Sequence, residues 1–335
     1  MTVTPLLRRR RVAFTAVVLS GALALAACGS SDSGSSGSSD GGGAASGDTH
    51  AIEADNGTVD VPTDPQRIVT IGNTGQPIID LGGEPVGMTE ISDSTLDLLP
   101  EDQLAVYEAA TKLGPDGGEV DLEQVASLEP DLILVQLPDD EFESIEKELE
   151  AVAPTAFYSL DTEWKSFADQ LAEASNLTES VEQQKADFAE AVSDIQETYA
   201  DVIETTSFVD ISRGDWSDPG TFYIADIGCS EIARDDIGLN LPEAEEGADP
   251  LAYESLPFEQ LGELSEYDVI TYPVDGEGEP TEPFAPVVET NTWKSLDAVT
   301  SGNAVGVFCP GNNSYGPVLQ YLASLDAALA TLPTE

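Results

Sequence analysis

The strongest constraint on this chain of 335 residues is a unit that occurs twice. Leu122-Glu123-Gln124-Val125 and Phe258-Glu259-Gln260-Leu261 each open a short helix, with Leu128 and Leu264 at equivalent places within it. A strand follows in both copies, beginning Asp131-Leu132-Ile133 and Asp268-Val269-Ile270, and the spacing differs by one residue. Around each copy, apolar β-branched runs alternate with polar turns and helical stretches. Residues 67–71, 85–88, 131–135 and 155–158 read as strands in the first half, and 207–211, 221–225, 268–272 and 304–308 in the second, before a closing helix over 317–332. Strands alternating with helices at this spacing predict βα units around a parallel sheet. The expected fold is therefore α/β: two similar lobes, each a mainly parallel sheet flanked by helices.

Between the halves lies the longest periodic segment. Phe188, Val192, Ile195, Tyr199 and Val202 are spaced 4, 3, 4 and 3, one apolar stripe on a helix. Asn176 with Glu179 three residues on predicts a cap at its start. A helix over 179–203 would be roughly 37 Å long, without glycine or proline to act as a hinge. The expected organisation is an N-terminal lobe over 53–175, a connecting helix over 176–205 and a C-terminal lobe over 206–335.

Upstream, Arg8 to Arg11 precede about fifteen largely apolar residues and the run Leu25-Ala26-Ala27-Cys28-Gly29. The stretch is too short to read as a bilayer span. A cysteine directly after the cut resembles the bacterial lipoprotein signal, which implies a signal peptide over 1–27 and lipidation of Cys28. Residues after Cys28 are almost entirely Gly, Ser, Ala and Asp, so 28–52 reads as a flexible tether with an r.m.s. reach of roughly 25 Å. The expected location is the outer face of the cytoplasmic membrane, with contact to the bilayer through the anchor alone.

Composition excludes several kinds of chemistry. The formal net charge is −52, and all 64 acidic residues lie after the leader. Nucleic acid and anionic lipid would both be repelled. His50 is the single histidine and falls in the expected tether, so His-based nucleophile activation is absent from the folded body, as are imidazole metal ligands. No direct metal site, no cofactor and no catalytic residue is expected. Cys229 and Cys309 remain after Cys28; an exported chain favours their pairing as a disulfide, the alternative being two buried thiols.

Taken in order, Cys28, Pro65-Gln66-Arg67-Ile68-Val69, the unit from Val120 to Leu134, the long helix, Asn291-Thr292-Trp293-Lys294-Ser295-Leu296-Asp297-Ala298-Val299 and Gly302-Asn303-Ala304-Val305 resemble the iron–siderophore and cobalamin class of substrate-binding lipoproteins that serve ABC importers. The resemblance implies a monomer without enzyme activity that captures a ferric siderophore between its lobes and delivers it to the permease subunits. Independently, parallel α/β sheets place ligands outside the carboxyl ends of their strands. That rule nominates Asn73, Gln76, Glu90, Gln136 and Tyr158 from the first lobe, and Arg213, Trp216, Tyr272, Asn312 and Tyr315 from the second. Trp293 reads as packing, and Trp164 as either core or rim. After the leader the chain has just three arginines, Arg67, Arg213 and Arg234, too few for a strongly anionic tris-catecholate. A hydroxamate or other weakly charged Fe(III) chelate fits better. Alternatives are cobalamin or haem capture, and, in different classes, a lipid-anchored carboxylate hydrolase or a structural module.

Overall fold

The structure is a computed structural model and describes residues 48–96, 98–213, 220–226, 228–242 and 255–333. Cys28 and Trp216 lie outside these residues. The described residues form one compact unit, and among them no helix is long and apolar enough to cross a membrane.

The chain opens on an antiparallel hairpin, β1 (Thr49–Ala54) and β2 (Gly57–Pro62). This shortens the expected tether and places His50 in a strand. The turn Asp55-Asn56 docks on the edge of the first sheet. Asn56 Nδ2 donates to Thr155 O (3.0 Å), and Phe157 N donates to Asn56 Oδ1 (3.0 Å). An otherwise open strand edge is thereby covered.

The first lobe continues with β3 (Ile68–Gly72), α1 (Gly75–Asp80), β4 (Gly87–Met88), α2 (Asp93–Leu96), α3 (Glu101–Ala109), β5 (Thr111–Lys112), α4 (Leu122–Ser127), β6 (Leu132–Gln136), α5 (Asp139–Glu150) and β7 (Thr155–Phe157). Its strands are all parallel in the order β5-β4-β3-β6-β7. Every residue of β6 is buried, as the unbroken apolar run requires of a strand covered on both faces.

Two helices follow: α6 (Trp164–Ser175) packs on α1 and β1 of the first lobe, and α7 (Thr178–Thr198) crosses to the second. Asn176 does not cap the long helix. It closes α6 in the left-handed conformation (φ 60°), a role asparagine fills readily. The long helix also breaks at Tyr199 (φ −112°, ψ 24°) and restarts as α8 (Ala200–Thr205). At the break the Tyr199 phenol donates to Asp326 Oδ1 (2.9 Å), which fastens it to the closing helix.

The second lobe holds β8 (Phe208–Arg213), β9 (Thr221–Ile224), α9 (Cys229–Ile232) running on into a π-turn (Ala233–Ile237), β10 (Leu256–Pro257), a 3-10 helix (Phe258–Glu266), β11 (Val269–Val274), α10 (Ala285–Glu289), α11 (Asn291–Lys294), α12 (Asp297–Ser301), β12 (Ala304–Phe308) and α13 (Tyr315–Leu329). Its order is β10-β9-β8-β11-β12. The three strands β8, β11 and β12 are parallel, while β9 and β10 form an antiparallel margin.

The repeated unit does the same work in both lobes. Asp131 accepts from the backbone N–H groups of Gln66 (2.8 Å) and Arg67 (2.9 Å), just before β3. Asp268 accepts from Ser207 N (2.9 Å) and Ser207 Oγ (2.7 Å), just before β8, and those bonds hold its carboxyl below the ordinary range. Each aspartate pins the start of its own strand to the start of the parallel neighbour. The second copy's helix is 3-10 rather than α, with Gly262 at its centre.

One apolar cluster runs through both lobes. It joins Ile52, Leu132 and Phe167 to Val181, Phe188 and Ile195 of α7, and on to Phe208, Val269 and Leu325. The opposite face of each sheet has its own cluster, around Ile71, Ile133 and Val135 in the first lobe and Val209, Ile270 and Trp293 in the second. Trp293 is thus packing, as expected from sequence. Cys229 and Cys309 are bonded, closing a sequence separation of 80 residues.

Candidate functional site

In the first sheet β3 lies between β4 and β6, so the chain reverses its direction of winding there, and crevices open at such points. Local chemistry shapes the exits. Thr74 is fully buried, and its hydroxyl donates to Leu134 O (3.0 Å) and accepts from Ile71 N (3.1 Å), folding the turn tightly. Gly72 sits at φ 67°, where a Cβ would fall 1.9 Å from Gln136 O, so only glycine lets β3 and β6 end side by side. Asn73, next in the chain, is left exposed at the tip of the turn, and its N–H donates to Gln136 O (3.1 Å).

A cavity of about 280 Å³ forms at these ends. Asn73 and Gln136 supply one wall, the stretch from Leu160 to Phe167 a second, and Glu231, Asn312 and Asn313 of the second lobe a third. Gln136 is held by donation from its Nε2 to Ser159 O (3.1 Å). Asn313 Nδ2 donates across the lobes to Gln76 Oε1 (3.1 Å), while its Oδ1 is shielded from solvent and finds no partner among the described residues. Leu160, at 49% exposure, is the one large apolar side chain left open among the described residues, and it lies in this wall.

Behind the cavity is an aromatic junction. Trp164 of α6, Phe188 of α7 and Tyr315 of α13 meet edge to face, with ring centroids 4.9–5.9 Å apart. Burial, with the charge of Asp169, pushes the Tyr315 phenol up to about 12, so it stays neutral. Trp164 is therefore both core and rim, which resolves the ambiguity of its sequence context.

Charge at the site is mostly acidic. Glu163 and Glu231 line the cavity, and the Glu231 carboxyl is raised by burial and then by Asp235. The nearby cations are already engaged. Lys165 pairs with Asp236 (2.6 Å), and Arg234 pairs with Asp235 (2.8 Å) and donates to Asp226 O (3.0 Å).

Of the ten residues nominated from sequence, Asn73, Gln136 and Asn312 line the cavity, Gln76 meets it through Asn313, and Tyr315 backs Trp164. Trp216 lies outside the described residues, and the remaining four do not line the cavity. Tyr158 is fully buried: its N–H extends the ladder to Val135 O (2.9 Å), and its ring packs on Phe167 beneath α6. Tyr272 is not at a strand exit, because β11 continues to Val274; its ring stacks on Phe284 (5.7 Å) and meets Trp293. Arg213 is the last residue of β8, at the carboxyl end of the strand as expected, opposite Phe222 of β9, and is not among the cavity's lining residues. Glu90 is exposed and lies off the cavity. Leu160, Thr162, Glu163 and Glu231 were not foreseen. The signal within reach was the apolar run Trp164, Phe167, Leu171 directly after a strand end.

The sequence profile described as periplasmic binding protein matches residues 68–306. Over 309 residues the chain is 29% identical to YfiY of Bacillus subtilis (strain 168), described as a probable siderophore-binding lipoprotein, covering 88% of this chain and 90% of that protein. The siderophore periplasmic binding protein from the fuscachelin gene cluster of Thermobifida fusca superposes with a TM-score of 0.67 at 26% identity, covering 81% of this chain and 99% of that one. FeuA, an iron-uptake system-binding protein of Bacillus subtilis, shares the fold at a TM-score of 0.66 and 20% identity, over 84% of this chain and 100% of its own.

Proposed function

Because the chain belongs to the periplasmic binding protein family, whose members bind substrates rather than transform them, we propose that it captures a ferric siderophore at the cavity between its lobes and presents it to an ABC permease. The likeness to the siderophore-binding proteins of Bacillus subtilis and Thermobifida fusca supports that cargo. The anchor is Cys28, which would hold the chain on the outer face of the cytoplasmic membrane as a monomer.

The observation that carries the reading is the cavity wall itself. An exposed Leu160 and the rim of Trp164 offer apolar surface, beside the amides of Asn73, Gln136, Asn312 and Asn313. A lining that is mostly polar, with a few apolar side chains set among the amides, suits a chelate that is polar but partly apolar. Glu163 and Glu231 face the same space, and Lys165 and Arg234 are tied to aspartates. A tris-catecholate complex carrying several negative charges would find no unpaired cation among the described lining residues. An uncharged ferric hydroxamate loses nothing by this arrangement, so it is the favoured class.

The test is Trp fluorescence during titration with ferric hydroxamates, a ferric tris-catecholate, cobalamin and hemin. Saturable quenching by a ferric hydroxamate at submicromolar concentration is expected, and its amplitude should fall on Trp164→Phe while the fold is retained. Tighter binding of the tris-catecholate would overturn the ligand class. Binding of cobalamin or hemin alone would overturn the cargo.

A further inference from the structure

Resting on this reading of the site, we propose that Asp80, which does not line the cavity, is a positioning residue that fixes the loop between β12 and α13 and thereby sets affinity for the cargo. That loop, Cys309-Pro310-Gly311-Asn312-Asn313-Ser314, running into the first turn of α13 at Tyr315-Gly316, carries the second lobe's amides into the cavity. At one end it is fastened by the bond from Cys309 to Cys229, two residues before Glu231 of the cavity wall. At the other end Gly316 N donates to Asp80 Oδ2 (2.9 Å), across 236 residues of sequence.

Asp80 is built for this task. Gln103 Nε2 of α3 donates to its Oδ1 (3.2 Å), and Gln184 Nε2 of α7 donates to its Oδ2 (3.3 Å) and its backbone O (3.0 Å). One carboxylate thus joins the first lobe, the connecting helix and the second lobe. α13 has no side-chain cap of its own, since Ser314 makes no capping bond. Asp80 supplies the anion that its first turn favours, from the opposite lobe.

Gly316 shows how close that approach is. A Cβ there would fall 1.9 Å from Asp80 Oδ1. Asp80 and Gln76 stand one turn apart on α1, so a single helix grips the loop twice, at Gly316 and at Asn313. Asn73, directly before α1, forms the facing wall. Asp80 therefore governs the spacing between amides that the cargo must bridge from both sides.

A double-mutant cycle tests this, using Asp80→Ala, Gly316→Ala and the two combined. Each single change is expected to weaken binding of the tightest ferric chelate in the panel about tenfold, as expected if the competent loop conformation falls to about a tenth of the population. In the Asp80→Ala background the added methyl has room, so Gly316→Ala should then change affinity less than twofold. Amide exchange over residues 310–316 should quicken in both single variants, while exchange in β3, β6 and β11 stays unchanged. Wild-type affinity and loop exchange in Asp80→Ala would overturn the positioning role, as would additive losses in the double variant. Failure of the unaltered chain to bind any ferric chelate would instead overturn the siderophore reading, and with it the part given to Asp80 in binding; the exchange data would still report on the clasp.

Discussion

Asp210 of β8 offers the sharpest test of the packing argument. Its carboxyl is enclosed within the second lobe, accepting from Ser230 Oγ of α9 and from Thr271 Oγ1 of β11 (2.8 Å). Tyr321 of α13 stands near it, its phenol raised by burial and then by the Asp210 charge. Burial lifts the Asp210 carboxyl from 3.8 to about 6, and the hydroxyl donors oppose that rise. In the unfolded chain it ionises near 3.8, so between 3.8 and 6 the native state holds a proton that the unfolded state has released. Stability assigned to this group therefore falls as pH rises through that window and is level above it. The full penalty is about 3 kcal/mol at 1.36 kcal/mol per pKa unit. The chain's pI is about 4.1, so solubility favours working from pH 5 upward, where about 1.4 kcal/mol of the change remains to be seen. For about 280 folded residues, at about 2.1 cal/mol/K each, that corresponds to about 2 °C in Tm. Asp210→Asn keeps the shape and cannot ionise; one hydroxyl can go on donating to its Oδ1 while the other rotates to accept from its Nδ2. Calorimetry of both proteins from pH 5 to 7.5 should show the variant gaining about 2 °C on the wild type as pH rises. A difference that stays flat, or that shrinks with pH, would refute the idea that this carboxylate is held at the expense of stability.

Two further outcomes follow from features away from the cavity. Asn56→Ala removes both hydrogen bonds by which the hairpin covers the edge of β7, and should cost about 1–2 kcal/mol in denaturant unfolding; a midpoint unchanged from wild type would mean the edge needs no cover. Replacing both Cys229 and Cys309 by Ser should lower stability by about 4.5 kcal/mol, the chain-entropy value for a loop closed across 80 residues. A loss below 1 kcal/mol would show that the unbridged chain is already restrained without the bond.

Much of the architecture could be read from the chain because it rests on local patterns. Short β-branched runs mark β3, β6, β8, β11 and β12, and the paired aspartates Asp131 and Asp268 mark equivalent strand starts in the two lobes. The stripe on α7 was legible for the same reason, since Phe188 and Ile195 do face the common interior. The hairpin carries a strong turn signal in Asn56-Gly57, yet the expected boundary at residue 52 cuts through β1, because that strand follows directly on a polar Gly/Ser stretch that hides where order begins. The break at Tyr199 was not legible, since its anchor, Asp326, is 127 residues away. At the site, strand ends were found but side-chain direction was not. Whether a strand continues past a given residue decides the face, and Tyr158 and Tyr272 were lost that way. The contacts of Asn313 with Gln76 and of Gly316 with Asp80 span 237 and 236 residues. No local pattern announces such pairs.

The apolar cluster that passes from Ile52 through Phe188 to Leu325 gives the two sheets a shared interior on their facing sides, beyond the cluster each keeps on its far side. Swinging one lobe from the other would expose that interior to water, so the jaws have no inexpensive way to gape. An empty receptor of this kind waits already set. A ligand held between the lobes would then surrender little free energy to ordering the protein, and its affinity would be set by the contacts it makes with a surface already in place.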